Sequence, residues 1–250
     1  MKLLLTLILI FNFFFTSGQE LSKENQLIIS EFIDCVKENN IQKLSAKVSY
    51  PLRREYPISE IQNQQEFLKR YNEIFDANLI NMITISNPLK DWSEMGWRGI
   101  MLNNGEVWLD FDGNLIAVNY QSEFEAMKKI QLIDEEKSNL HESIKEFQKP
   151  ICILETAKFR IRIDEMSDGT YRYASWKLKS QMNEKPDIII NKGIYIAEGS
   201  GGNHTYEFKN GDYIYDCSII LLGEENSPPA RLTVYKGEKE VLTQNASLKK

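Results

Sequence analysis

Six dipeptides ending in glycine constrain the fold of this 250-residue chain most, because each lies between short apolar segments. They are Asn104-Gly105, Asp112-Gly113, Asp168-Gly169, Lys192-Gly193, Asn210-Gly211 and Lys236-Gly237. Asn-Gly and Asp-Gly are strong hairpin signals, since both central residues of the tightest hairpin turns need a positive φ. The pattern predicts a meander of antiparallel strands over 96–120 and further short strands over 151–242, with 245–250 as a frayed tail.

Helical periodicity precedes each of these strand-rich stretches. Apolar residues recur every three or four positions over 21–39, 41–48 and 63–77, which predicts three amphipathic helices. The charged segment 122–149 is also compatible with a helix, and Pro150 ends it. Helices followed by an antiparallel sheet are typical of α+β proteins.

The first eighteen residues predict export. A short basic start, an apolar run over 3–15 and a small-residue exit indicate a secretory signal peptide over 1–18, cleaved after Gly18. We therefore expect a periplasmic or extracellular protein. No later segment approaches the roughly 20 apolar residues of a membrane helix, so no membrane span is expected after cleavage. The net charge of −6 argues against a nucleic-acid partner.

The three cysteines leave two alternatives open. Cys152 and Cys217 lie in strand-like segments and could form a disulfide in an oxidising compartment, which would leave Cys35 unpaired. Alternatively, all three are buried thiols. The spacing of cysteines and of the two histidines matches no metal site, so no metal and no cofactor are expected.

The stretch 21–124 resembles the nuclear transport factor 2-like superfamily. The resemblance rests on the order of its elements and on the run over 97–110, which begins Trp97-Arg98-Gly99 and ends Trp108-Leu109-Asp110. It implies a cone-shaped sheet that wraps a long helix and encloses a pocket. Members that catalyse isomerisation or dehydration use Asp, His and Tyr there, and none of those patterns carries over, because 21–124 contains no histidine.

The predicted fold class is therefore α+β with two domains. We expect a cone-like N-terminal domain of helices and a curved antiparallel sheet over 19–124, then a helical connector over 125–149. An all-β domain, a small barrel or sandwich, is expected over 150–250. The first half of the chain is acidic and the second is near neutral, a contrast typical of separately folded units.

The candidate ligand-binding residues are Tyr50, Trp97, Arg98, Trp108 and Asp110, which would line the pocket of the first domain. Tryptophan combines a large apolar surface with a hydrogen-bond donor, which suits a pocket wall. The alternative for the tryptophans is ordinary core packing, and for Asp110 a solvated strand end. No catalytic residue is assigned.

The predicted function is an exported, non-catalytic binding or accessory protein for a small molecule or a peptide, or for a protein partner. One alternative is a periplasmic inhibitor or interaction module. Ser200-Gly201 and Tyr206 resemble the pattern of periplasmic lysozyme inhibitors, although the spacing departs from it. Another alternative is a small-molecule isomerase or dehydratase with a pocket.

Two further features of the second half are interpreted as structural. The loop containing Ser200 and His204 is predicted to be a turn, and not part of a hydrolase triad with Asp212. Lys158, Arg160 and Arg162 alternate with apolar residues and are predicted to form a solvated strand face, with docking to an acidic partner as the alternative.

Overall fold

The computed structural model describes residues 21–249. The chain divides into two compact units, and each is built from two separate stretches. The first unit combines 21–49 with Ala77–Asn119, and the second combines Tyr50–Asp76 with 120–249. The predicted signal peptide lies outside the described residues.

The helices and strands follow in chain order. Within 21–249 the α-helices are α1 (Lys23–Lys37), α2 (Ile41–Ala46), α3 (Gln64–Ile74), α4 (Ala77–Ile85) and α5 (Glu123–Ser138). The short strands are β1 (Trp92–Glu94), β2 (Ile100–Leu102), β3 (Val107–Leu109) and β4 (Leu115–Val118). The longer strands are β5 (Lys149–Thr156), β6 (Phe159–Glu165), β7 (Tyr171–Lys177), β8 (Ile188–Glu198), β9 (Asn203–Asn210), β10 (Tyr213–Ile219), β11 (Ala230–Lys236) and β12 (Lys239–Lys249). None of the helices in this part of the chain is long and apolar enough to cross a membrane.

The first unit packs helices against a small antiparallel sheet ordered β1-β2-β3-β4. The Ser22 side chain caps α1 by accepting a hydrogen bond from the Asn25 backbone N–H, which satisfies one of the donors exposed at a helix start. The apolar stripe of α1 is buried, and its Phe32 ring lies edge-on to Trp92 with centroids 5.9 Å apart. A helix of this amphipathic kind is stabilised mainly by burying that stripe.

The second unit contains a closed barrel of eight antiparallel strands, ordered β10-β11-β12-β5-β6-β7-β8-β9. Strand β12 closes it, because its last residues pair with β5 from Ala246 opposite Thr156 to Lys249 opposite Ile153. Side chains fill the interior, which an eight-stranded barrel has just enough room to hold. The largest fully buried rings inside it are those of Tyr173 and Phe208. Of the two predicted alternatives, barrel and sandwich, the barrel is confirmed. The residues 245–249, predicted as a frayed tail, are part of its closing strand.

A layer of helices and loops belongs to the same unit as the barrel. Leu140, Ile144 and Phe147 pack on Ala174 and Trp176, which lie on the outer face of β7. The residues of 50–76 join this layer through a buried ion pair between Arg54 and Glu125 of α5. The outer face of β6 and β7 is therefore covered and not exposed to solvent.

The predicted fold class is wrong in how it divides the chain, although the protein is α+β overall. The barrel is not a separate small C-terminal domain, since Tyr50–Asp76 and the predicted connector belong to its unit. The connector is α5 and the turn after it, and these cover the barrel. The stretch 19–124 is also divided between the units, because α3 belongs to the second one. The strands β1 to β4 of the first unit have three or four residues each. The physical reason for this division is that the outer face of β6 and β7 carries side chains that are buried, and α5 with the turn after it shields them from water.

The thiols of Cys35 and Cys217 are free and buried. Because Cys217 is a free thiol, the structure holds no Cys152–Cys217 disulfide, and the alternative of buried thiols describes it. Burial raises the pKa of Cys217 well above its usual range, so the thiol behaves as a small apolar group in the barrel core.

Candidate functional site

The structure brings only two of the predicted ligand-binding residues together. The guanidinium of Arg98 lies over the ring of Trp108, 5.6 Å from its centroid. The Trp108 indole N–H donates to the Gly105 carbonyl at 3.0 Å. Trp97 lies in the short turn Gly96–Arg98 and is 65% exposed. Arg98 and Trp108 thus form a surface cation–π pair.

Asp110 and Tyr50 have local structural contacts. The Asp110 carboxylate accepts hydrogen bonds from the backbone N–H groups of Asp112 and Asn114, and so it organises the turn between β3 and β4. Tyr50 belongs to the second unit, where its ring lies edge-on to Phe67 with centroids 6.4 Å apart. Burial raises the pKa of Tyr50 to about 12. The predicted set is therefore divided between the two units.

The loop with Ser200 connects β8 to β9 as a four-residue turn, in which Gly199 and Gly202 have positive φ values. Asp212 follows β9 at its other end. At about 3.3 Å per residue, the strand from His204 to the end of β9 at Asn210 spans about 20 Å. Asp212 lies in the turn after that end, so it and His204 cannot form part of one triad. Tyr206 is buried in the barrel core.

A buried network of charged side chains lies on the outer face of β6 and β7. Along β6, Ile161 and Ile163 point into the barrel, so the alternation of a strand places Arg162 and Asp164 outside. Asp164 is directly opposite Arg172 in the register of β6 and β7. One Asp164 oxygen accepts from Arg162 Nε at 2.8 Å, and the other accepts from Arg172 Nη2 at 2.7 Å.

The covering layer completes this network. Glu136 of α5 accepts a hydrogen bond from Arg162 Nη1 at 2.8 Å and another from the Tyr56 hydroxyl at 2.6 Å. The Phe147 ring stacks on the Arg162 guanidinium, whose central carbon lies 4.8 Å from the ring centroid. Arg172 donates to the backbone carbonyl of Ile144 at 2.7 Å. The two arginines are therefore clamped by the layer and the barrel together.

The electrostatics of the network follow from its burial. The side chains of Arg162, Asp164 and Arg172 are at most 4% exposed, and that of Glu136 is 24% exposed. Burial by itself would lower the pKa of Arg162, but the carboxylates of Asp164 and Glu136 outweigh it and raise that pKa. Burial, followed by the charge of Glu136, raises the pKa of Tyr56. Two guanidinium groups face two carboxylates, so the network is neutral overall.

Two nitrogens of this network have no hydrogen-bond partner among the described residues. One is Arg162 Nη2, which is buried and donates no hydrogen bond. Arg162 also lines a cavity of about 280 Å³. The apolar lining residues are Pro57, Leu132, Leu140 and Met182, and the polar ones besides Arg162 are Glu135, Glu136 and Asn139. Arg172 Nε is a second buried nitrogen without a partner, but Arg172 does not line this cavity.

The chemistry of the cavity is that of binding. A guanidinium only donates hydrogen bonds and does not lose its proton in proteins. Because Nε and Nη1 of Arg162 are held by carboxylates and the guanidinium is stacked on Phe147, its position needs no reordering when a ligand arrives. No group of metal-ligating side chains is found among the described residues.

Sequence reasoning missed Arg162 because it assumed that the face with Lys158, Arg160 and Arg162 is solvated. Lys158 is exposed and Arg160 is half-buried in a pair with Glu155, but Arg162 is buried. A signal was present in β7, where Trp176 alternates with Tyr171 and Tyr173, so both faces of that strand carry large rings. Strands that are buried on both faces have such continuous patterns.

No family model, no curated protein and no solved structure matches this chain. The resemblance to the nuclear transport factor 2-like superfamily stays a prediction.

Proposed function

We propose that this is an exported, non-catalytic binding protein and that its ligand occupies the cavity beside Arg162. The observation that carries the proposal is a cavity of about 280 Å³ that is lined by apolar side chains and by Arg162, whose guanidinium is held in place by Asp164 and Glu136. A ligand in this cavity gains the apolar contacts of its wall beside a fixed charged group.

The volume and the lining of the cavity also support this proposal. Small-molecule sites usually occupy about 300–1,000 Å³ and combine apolar walls with a few well-placed polar groups. At about 280 Å³ this cavity is just below that range, with Leu132, Leu140 and Met182 as apolar walls and Arg162 as a fixed charged group. A compact ligand is therefore expected.

Blocking the cavity without disturbing the charges tests the proposal. Leu132→Phe places a larger side chain in the cavity wall and leaves the network intact. Met127→Phe is the matched control, because Met127 lies on the same helix, is 65% exposed and does not line the cavity. The measurement is ligand-observed NMR with a mixed library of neutral amides, carboxylates, phosphates and amines.

We expect at least one library compound to bind the protein and the Met127→Phe variant alike and to lose at least tenfold in affinity with Leu132→Phe. If every compound that binds does so equally well in both variants, or if none binds, the cavity is not the ligand site and the proposal is wrong.

A further inference from the structure

We infer that two copies of this chain associate through the end of strand β8, whose free edge pairs antiparallel with the same edge of the second copy. The observation that carries the inference is that β8 extends beyond its neighbour β7. Strand β7 begins at Tyr171, which lies opposite Gly193, so residues 194–198 pair with β9 on one side only. Within 21–249, no strand and no isolated bridge pairs with their other edge.

A bulge in β8 explains why this edge is open. The register of β7 and β8 shifts between Tyr171 and Tyr173, where Lys192 has a φ of +62°. A bulge bends its strand and often ends a pairing. The hairpin of β8 and β9 therefore continues past β7, and alternate backbone N–H and C=O groups of 194–198 point away from β9. Such a row of backbone groups is a template for another strand.

The side chains at this edge are apolar and exposed. Ile194, Tyr195 and Ile196 are 51%, 47% and 39% exposed. Proteins usually protect a free edge with charged residues or with proline, and 194–197 contains neither. A second free edge, over 239–245 of β12, has this protection, because it begins with Lys239 and Glu240. The edge of β8 is therefore the one that is suited to pairing.

The amino-acid order of this edge is complementary to itself in one antiparallel register. When Tyr195 lies opposite Tyr195 of the second copy, Ile194 lies opposite Ile196, and Lys192 lies opposite Glu198. A two-fold axis makes each of the last two pairs occur twice, and cross-strand pairs of both kinds are stabilising. A register centred on Ile196 instead places Ile194 opposite Glu198 and Lys192 opposite the uncharged Ser200. Charge complementarity therefore favours a second copy as the occupant and selects the register.

The isoleucines of both copies share one face of this strand pair. A Cβ on Gly193 would meet the ring of Phe208 in the barrel core, and Tyr195 contacts the core ring of Tyr206, so positions 193 and 195 face inward. Alternation places Ile194 and Ile196 on the outer face. Pairing thus joins two isoleucines from each copy into one apolar patch. A single strand pair is a small interface, so we expect a weak dimer of the class that buries less than about 1,200 Å².

Exchanging the charges tests the register. Glu198→Lys places two lysines opposite each other at both ends of the strand pair, whereas the double variant Lys192→Glu, Glu198→Lys restores both ion pairs with reversed sign. Sedimentation velocity over a series of protein concentrations measures the dimer Kd, and circular dichroism checks that each variant is folded. We expect Glu198→Lys to raise the Kd at least fivefold and the double variant to return it to within about twofold of the original value.

A second substitution tests the apolar contact. Ile196→Lys places a charge opposite Ile194, and we expect it to raise the dimer Kd at least tenfold. Val241→Lys is the matched control, because Val241 is 47% exposed on the free edge of β12, and it should change the Kd by less than twofold. Hydrogen exchange measured by mass spectrometry should show that the amides of 194–198 exchange more slowly at high protein concentration, while those of 239–245 do not change.

The opposite results would overturn the inference. A protein that stays monomeric up to about 1 mM, or a dimer that resists both Ile196→Lys and Glu198→Lys, shows that the edge does not join two copies. If Val241→Lys breaks the dimer and Ile196→Lys does not, the copies meet through β12. If the protein is monomeric but a capped peptide with the sequence of 192–198 slows exchange at 194–198, the edge accepts a foreign strand and a second copy is the wrong occupant. None of these outcomes depends on the proposed function, because no residue of 192–198 lines the Arg162 cavity.

Discussion

The two sheets of this protein are stabilised in different ways. Strands β1 to β4 of the first unit have three or four residues each, so the sheet offers few cross-strand contacts and depends on its turns and on the helices beside it. The barrel of the second unit has strands of seven to eleven residues and is closed, so most of its strand edges are paired. Both sheets are built from consecutive strands, but only the barrel is closed by a pairing of distant segments, that of β12 with β5.

One glycine in each sheet, Gly99 in the first and Gly193 in the barrel, has no room for a side chain, for different reasons. Gly99 has a φ of +99°, and a Cβ there would lie 2.2 Å from the Leu109 carbonyl oxygen, so the residue before β2, beside the end of β3, must be a glycine. In the barrel, a Cβ on Gly193 would lie 2.2 Å from the ring of Phe208, a core side chain. The first glycine permits a backbone approach within a meander, whereas the second makes room for packing inside a closed sheet.

Removing the closing segment should have the largest effect. Deletion of 245–250 removes the pairing of β12 with β5, which closes the barrel. We expect the barrel to lose its stable fold, a cost above about 5 kcal/mol, while the sheet of the first unit retains its slow amide exchange. Hydrogen exchange measured by mass spectrometry checks both. Deletion of Lys250 alone is the control. If the amides of β5 and of the rest of β12 remained fully protected from exchange after the longer deletion, closure by β12 would not stabilise the barrel.

Breaking the buried network should have the next largest effect. Asp164→Asn leaves the buried guanidinium of Arg162 with Glu136 as its remaining carboxylate and that of Arg172 with two backbone carbonyls. Removing one partner of a buried ion pair costs about 3–5 kcal/mol, and urea denaturation measures it. Glu142→Gln is the control, because it breaks an exposed pair with Lys145 and should cost less than about 1 kcal/mol. If the two substitutions lowered the free energy of unfolding equally, the buried network on β6 and β7 would not stabilise the barrel.

Gly99→Ala tests the first unit. The substitution combines a positive φ with a clash against backbone that cannot move aside, and we expect a cost of about 2–4 kcal/mol. Gly211→Ala is the matched control, because Gly211 has a φ of +58° and open space around it, and it should cost about 1 kcal/mol. Hydrogen exchange of the β2 and β3 backbone amides measures this loss of local stability. If both substitutions lower the free energy of unfolding equally, the close backbone contact at Gly99 is not what determines the stability of the first sheet.

A salt bridge of the covering layer should have the smallest effect. Burial would raise the pKa of Glu55, but Lys129 and Lys149 outweigh it and lower that pKa. A lowered pKa means stability that is present above the ordinary value of 4.5 and is lost as the pH falls through the folded-state value. Glu55 is 40% exposed, so Glu55→Gln should cost about 0.5 kcal/mol at pH 7 and nothing at pH 2. A difference in Tm that persists at pH 2 would contradict this assignment.

Most of the turns could be predicted from the sequence. Five of the six glycine dipeptides lie where a hairpin reverses, because positive φ values are a local requirement that the residue types reveal. The exception is Lys192-Gly193, which lies inside β8. There the register of β7 and β8 shifts and Lys192 has a φ of +62°, so the same local signal marks a bulge.

The candidate site could not be predicted in the same way. Arg162 alternates with apolar residues just as Arg160 does, and that pattern shows only that the two share a strand face. Whether the face is solvated depends on what covers it, and the cover comes from α5 and from Tyr56, which are distant in the sequence. Burial of Arg162 is therefore a property of the packing between these segments.

The amino-acid order alone predicts three of the four helices that precede β1, the hairpin turns and the alternation of inward and outward side chains, because each depends on neighbours within a few residues. The division into units and the closure of the barrel depend on contacts between segments that are 71 and 90 residues apart. Ala246 meets Thr156, and Arg54 meets Glu125, only after the chain has folded. Local dihedral preferences carry no information about such pairings, and the free energy that selects them comes from burying both faces of the same strands.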